Sequence, residues 1–120
     1  MSSGDRPDPR TLLPLKPDVF LILTILADGE HYGYSIMHAA EERTWGQVRI
    51  QAGAPYRRLK WMLEGGLIDE VREAGSEPNE GERRRYYRIT TFGRDVAKAE
   101  ARRMADLLAA AEAAALVASP

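Results

Sequence analysis

Cysteine is absent from the sequence. Disulfides and thiolate metal sites are therefore excluded, and a reducing cytoplasm is allowed. Histidine is scarce: His31 and His38 are the only two. They lie either side of a helix start with Glu41 and Glu42 near, but a metal site needs three or four convergent ligands. They read as surface residues, and no metal is expected. Long hydrophobic runs are missing as well. The longest, Val19–Leu26, is broken by Thr24 and is far too short to span a bilayer. The N-terminal stretch MSSGDRPDPRTLLPLKP has no basic region leading into a long apolar run and a small-residue cleavage site, so it does not read as a secretory signal. A cytoplasmic protein without membrane contact is expected. No Ser/His/Asp arrangement, phosphate-binding glycine loop or HExxH motif occurs, so catalysis has no candidate and no cofactor is expected. An excess of positive charge is also lacking, since the formal net charge is -1. A strongly basic domain would point directly to nucleic acid; here such a reading depends on where the charges sit.

Hydrophobic residues, 44% of the 120, are enough for a packed core. A chain this short buries a limited fraction of its surface, which makes a second subunit a plausible source of further burial. Residues 1–15 carry little apolar pattern and read as a flexible N-terminal arm. Pro17 suits the first turn of a helix. Val19, Phe20, Ile22, Leu23, Ile25 and Leu26 then predict a helix buried on most sides, ended by Asp28-Gly29. His31-Tyr32-Gly33 reads as a connector. A second helix is predicted over Tyr34–Thr44 with Gly46 as its stop, then a short extended piece at Val48–Ala52. The third helix runs from Gly53 to Glu64, takes Pro55 in its first turn and ends at Gly65-Gly66. Leu67–Arg72 and Arg84–Thr90 read as a hairpin with a loose tip at Gly75–Gly81. Thr90 or Thr91 can cap a last helix that runs through the alanines to about Val117. The order helix, helix, helix, hairpin, long helix predicts a mostly helical α+β fold. It is a winged helix-turn-helix over residues 16–90, followed by a C-terminal helix over 91–118.

The charges fall on two parts of that fold. In the third helix, GAPYRRLKWMLEGG, an inward stripe of Leu59, Met62 and Leu63 leaves Tyr56, Arg57, Lys60 and Trp61 on the opposite face. Such a face can enter a major groove, with cations neutralising phosphates and the phenol bonding phosphate oxygens. It can equally be an ordinary solvated surface. In GERRRYYRIT, alternation puts Tyr87 and Ile89 on the core side and leaves Arg83 and Arg84 where the strand leaves the tip. Those arginines can grip a DNA backbone, or pair with Glu70, Glu73, Glu80 and Glu82 across the hairpin, in contacts worth little.

The runs FLILTILADGEHYGYSIMHAAEERTWG, GAPYRRLKWMLEGGLIDEV and RRRYYRITTFGRDV together resemble the PadR family of bacterial transcriptional regulators, from about Pro17 to Val96. The specific elements are His31-Tyr32-Gly33-Tyr34, the Gly53 to Tyr56 start, Leu59-Lys60, Gly66-Leu67-Ile68, and Arg85 to Thr90 leading to Gly93-Arg94. The short tail is similar to the smaller subfamily, whose single C-terminal helix builds the dimer. The resemblance implies a homodimeric regulator, usually a repressor, on a pseudo-palindromic operator. It assigns double-stranded DNA contacts to Tyr56, Arg57, Lys60, Arg83 and Arg84, with Arg58 as a lesser candidate. Gln51 stands in for the family's usual hydroxyl residues at the start of the third helix, where this chain reads Gln51-Ala52-Gly53-Ala54-Pro55-Tyr56. Trp61 stands where a basic residue is common.

In the last helix Ala97, Ala101, Met104, Leu108 and Ala111 recur at spacings of three or four, with Leu107 beside them. A lone amphipathic helix of this length has no reason to be stable away from a partner surface. It reads as the homodimer seam, the alternative being a helix folded back on its own domain. In the smaller PadR proteins that interface can enclose a cavity for flat apolar molecules, framed by an aromatic residue of the last helix. Phe92 is the only aromatic after the wing, and alanines permit close approach, so a pocket there is expected to be weak or absent. A protein-interaction module and a small-molecule sensor with secondary DNA binding are the competing functional classes.

Overall fold

The computed structural model describes residues 7–29, 31–44, 54–72 and 85–117. A short 3-10 helix, Pro9–Leu12, precedes α1 (Pro17–Ala27), β1 (His31–Tyr32), α2 (Gly33–Thr44), α3 (Ala54–Glu64), β2 (Ile68–Arg72), β3 (Arg85–Ile89) and α4 (Thr91–Ala113). The expected mostly helical α+β architecture, a winged helix-turn-helix, is the observed one. No helix among the described residues is long and apolar enough to cross a membrane. The expected extended piece at Val48–Ala52, the stop at Gly46 and the hairpin tip at Gly75–Gly81 lie outside the described residues.

α1 is the hub. Pro17 opens it and Asp18 sits in its first turn, where a carboxylate complements the exposed N–H groups. Val19, Ile22, Leu23, Ile25 and Leu26 are buried, and Ile36, Ala40, Leu59, Met62, Leu67, Ile68, Tyr87 and Val96 close around them. Burying each large aliphatic side chain contributes roughly 1.5–3 kcal/mol. Thr24, the polar interruption in this apolar helix, donates its hydroxyl to the Phe20 carbonyl at 2.9 Å and so presents no unpaired group to the core.

The α3–β2 corner follows from two glycines. The Gly65 N–H bonds the Trp61 carbonyl at 2.9 Å, Gly66 turns left-handed at φ 75°, and Leu67 N–H reaches back to the Met62 carbonyl at 2.9 Å. This is a Schellman stop, with Leu67 fully buried beyond it. Thr90 then stitches the start of α4 to the same corner. Its hydroxyl accepts from Gly93 N–H at 2.9 Å as an N-cap and donates to the Gly66 carbonyl at 2.6 Å.

Three expectations need correction. Residues 9–15 do not form a loose arm. Asp8 caps the 3-10 helix, accepting from Arg10 N–H at 2.9 Å, and Pro9 fills its first position. The Arg10 guanidinium and the Arg10 backbone N–H together hold the Asp8 carboxyl down at about 2. Leu12 and Leu13 pack against the core and Leu15 is buried. The segment is a strap along α4, fastened where Leu15 N–H donates to Glu100 Oε2 at 2.9 Å. Secondly, His31–Tyr32 is a strand rather than a connector. It pairs antiparallel with Tyr87 and Tyr86, making the sheet three-stranded in the order β1-β3-β2. Thirdly, α4 ends at Ala113, not near Val117. Ala115 turns left-handed at φ 62°, and Leu116 N–H bonds the Ala111 carbonyl at 2.9 Å, which stops the helix as glycine stops α3.

Glu100 is the one buried charged side chain among the described residues, at 1% exposure. Arg103 donates through Nε and through its terminal nitrogen at 3.1 Å. The hydrogen bond from Arg103 holds the Glu100 carboxyl below its ordinary value against the opposing effect of burial, and the Leu15 N–H assists. A carboxyl depressed in the folded state stabilises the fold above the ordinary carboxylate range and loses that contribution as pH falls through its lowered value. Glu100→Gln keeps the shape and removes the charge. It is expected to cost about 1–3 kcal/mol at neutral pH, and the gap from wild type should close on acidification. Urea unfolding at several pH values measures both; a gap that widens on acidification would contradict the assignment.

Candidate nucleic-acid interface

α3 sorts its residues by face. Leu59 and Met62 are buried, Leu63 is half-buried, and Arg57, Lys60 and Trp61 are exposed. Arg57 and Lys60 stand three apart, one above the other on the outward side. Neither has an ion-pair partner among the described residues. Among the described residues their charge is therefore uncompensated. The Tyr56 backbone lies in the first turn of α3, but its side chain lies outside the described residues, as do Gln51, Arg83 and Arg84.

Arg58 differs from its neighbour. Its Nε donates to Asp18 Oδ2 at 2.6 Å, and both side chains are substantially covered, at 33% and 17% exposure. The other Asp18 oxygen accepts from Val19 N–H at 2.8 Å. Asp18 thus holds α3 to the first turn of α1 and neutralises Arg58. One residue along the helix turns the side chain by about 100°, which separates a tether from a free cation.

The ribbon comprises β2 and β3. Its ladder runs from Ile68↔Ile89 to Arg72↔Arg85, so residues 73–84 connect its two strands. Ile68 and Tyr87 are buried, which fixes the core-facing side as expected from the alternation. Arg88 on the opposite side is exposed and lies 3.9 Å from Asp69, its cross-strand partner. An exposed pair at that separation contributes little.

Along α4, the expected seam divides. Ala97 packs on its own core, Met104 and Ala111 are half-buried, and Ala101 is exposed. Leu107 and Leu108 stand out at 57% and 49% exposure. Beyond the helix end, Leu116 and Val117 continue the apolar surface at 78% and 44%.

Residue-level reasoning overlooked Lys16, which is exposed at the end of the strap and shares a groove with Arg57 and Trp61. Its signal was Lys16-Pro17, a cation one residue outside a helix start. Among the described residues no three His, Cys, Asp or Glu side chains converge as metal ligands.

The fold recurs among solved proteins. A PadR family transcription regulator from Clostridium difficile is 27% identical, with a TM-score of 0.65 over 81% of this chain and 96% of that one. A transcriptional regulator from Clostridium thermocellum is 22% identical, with a TM-score of 0.62 over 85% and 90% of the two chains. Bacillus subtilis PadR, solved in complex with operator DNA, is 22% identical at a TM-score of 0.59, over 71% of this chain and 46% of that one. No curated protein matches the sequence. The family model for PadR-like transcriptional regulators, which are not enzymes, matches residues 22–99. A match over well more than half of the chain, on this fold and with this outward α3 face, places the protein in the PadR-like family of transcriptional regulators.

Proposed function

We propose that the protein is a homodimeric DNA-binding repressor of a pseudo-palindromic operator. α3 enters the major groove and the β2–β3 wing tracks the adjoining backbone. The observation that carries this reading is the pair Arg57 and Lys60, without an ion-pair partner among the described residues, on the outward face of a helix whose other face is locked into the core by Leu59 and Met62. A rigid helix with free cations in register is what groove entry needs, because the side chains arrive already oriented. In this reading Tyr56, Gln51, Arg83 and Arg84 extend the same contact surface, whereas Arg58 positions α3 through Asp18. Membership of a regulator family supports the reading, as does the solved operator complex of one structural relative.

Exposed Leu107, Leu108, Leu116 and Val117 support pairing of two chains through the distal half of α4. A two-fold pair places two α3 helices on successive major grooves about 34 Å apart. Selection of bound fragments from random duplex DNA tests the whole. An enriched inverted repeat with half-site centres about 10–10.5 bp apart is expected. Enrichment of no sequence, or of single unrepeated sites only, would contradict it.

A further inference from the structure

The groove between the strap and α3 shares Arg57 with the DNA contacts just described; its other lining residues have no part in them. It encloses about 440 Å3, within the roughly 300–1,000 Å3 usual for small-molecule sites. Leu12, Leu15 and Lys16 form its strap wall, Val19 closes its floor, and Arg57, Arg58 and Trp61 form the α3 wall. Leu15 is held from behind by Glu100, so the strap wall is fixed to α4.

Two chemistries are segregated in it. The lining is apolar and buried at Leu15 and Val19, and the indole of Trp61 stands half in solvent at 48% exposure. At the rim Asp18 cancels Arg58, which leaves Lys16 and Arg57 as the cations without an ion-pair partner among the described residues. A strongly hydrated inorganic anion would satisfy the rim and leave the apolar wall wet. A neutral apolar molecule would cover the wall and give the cations no partner. Only an occupant with both parts matches both surfaces.

We propose that this groove binds a small amphipathic organic anion, with its carboxylate or sulfonate between Lys16 and Arg57 and its apolar body against Trp61 and Leu12. Occupation draws Arg57 away from DNA, so the anion and the duplex compete. The competition rests on the regulator reading; the binding does not.

The test uses naphthalene-2-sulfonate as the probe and naphthalene-2-methanol as its neutral counterpart. Trp45→Phe leaves Trp61 as the only indole, since the chain has two tryptophans. Saturable quenching of Trp61 by the sulfonate is expected, with the alcohol about tenfold weaker. Lys16→Ala is expected to weaken the sulfonate by about tenfold and Lys16→Arg to restore it. Calorimetric titration of the unaltered chain should give the same ranking of the two probes. In a low-salt duplex-binding assay the sulfonate should displace DNA from wild type and not from Lys16→Ala. Equal binding of sulfonate and alcohol, or no effect of Lys16→Ala on the sulfonate, overturns the site. Loss of duplex affinity in Lys16→Ala without sulfonate quenching in its parent also overturns it, and makes the groove a DNA phosphate contact. Sulfonate binding that leaves DNA in place overturns the competition. A protein that binds the sulfonate and no duplex at all supports the site and overturns the regulator reading.

Discussion

Gly93→Ala is expected to remove more than about 4 kcal/mol of stability, a large part of what a domain of this size has. A Cβ at that position would stand 1.9 Å from the Leu67 carbonyl oxygen and 2.8 Å from its carbon. Both atoms are backbone, and neither is free to yield. Leu67 N–H is bonded to Met62 at 2.9 Å, and its carbonyl accepts from Thr90 N–H at 3.1 Å, with the Thr90 hydroxyl oxygen 3.0 Å away. Relieving the clash means lifting the first turn of α4 from the α3–β2 corner and breaking the Thr90 cap. Val96, fully buried one turn further on, would lose its packing as well. Gly65→Ala is the control, because its Cβ would lie 3.3 Å from the Trp61 carbonyl, a contact that a small adjustment relieves. Denaturant unfolding of the two variants should rank them far apart. A Gly93→Ala protein within about 1 kcal/mol of wild type would show that the corner is not packed as described.

If two chains pair through α4 as proposed, the double substitution Leu107→Glu/Leu108→Glu is expected to split that dimer and lower operator affinity by at least about 100-fold. α4 has 23 residues, about 35 Å at 1.5 Å per residue. Its own domain covers the first part: Gly93, Val96 and Glu100 are buried. Leu107 and Leu108 touch little of their own chain, so changing them should leave the monomer folded. Joining two weak half-site contacts in one particle raises overall affinity by about 10²–10⁴ with no new contact, and separation forfeits that gain. Sedimentation and gel-shift titration measure the two effects. A variant that stays dimeric, or a monomer with full operator affinity, would remove α4 from the proposed function.

How much of this was legible in the residues depended on whether the cause was local. Pro55 and Gly65-Gly66 bound α3 closely because ring geometry and a left-handed turn act at their own positions. Tyr87 and Ile89 revealed their face through simple alternation, and Thr90 its cap through a hydroxyl before a helix. The strap was missed although Asp8-Pro9 is a cap followed by a first-turn proline, because no apolar periodicity followed it. β1 was missed because two residues have no period; the exposed edge of β3 makes them a strand. Glu100 runs against the rule that charged residues stay outside; Arg103 pairs with it from three residues on, but its second partner, Leu15, lies 85 positions away. Arg57 and Arg58 are chemically identical, and only the position of Asp18 in the folded chain separates them.

The salt dependence of operator binding, compared between wild type, Arg57→Ala and Lys60→Ala, tests the central claim most directly. Both side chains are exposed, so the variants should unfold like wild type. If each cation displaces a counterion from the DNA backbone, affinity falls as salt rises, and each substitution lowers the slope of log affinity against log salt by about 0.9. The expected result is weaker binding at low salt and a shallower line for each variant. Affinities and slopes equal to those of wild type would mean that the outward face of α3 does not touch DNA.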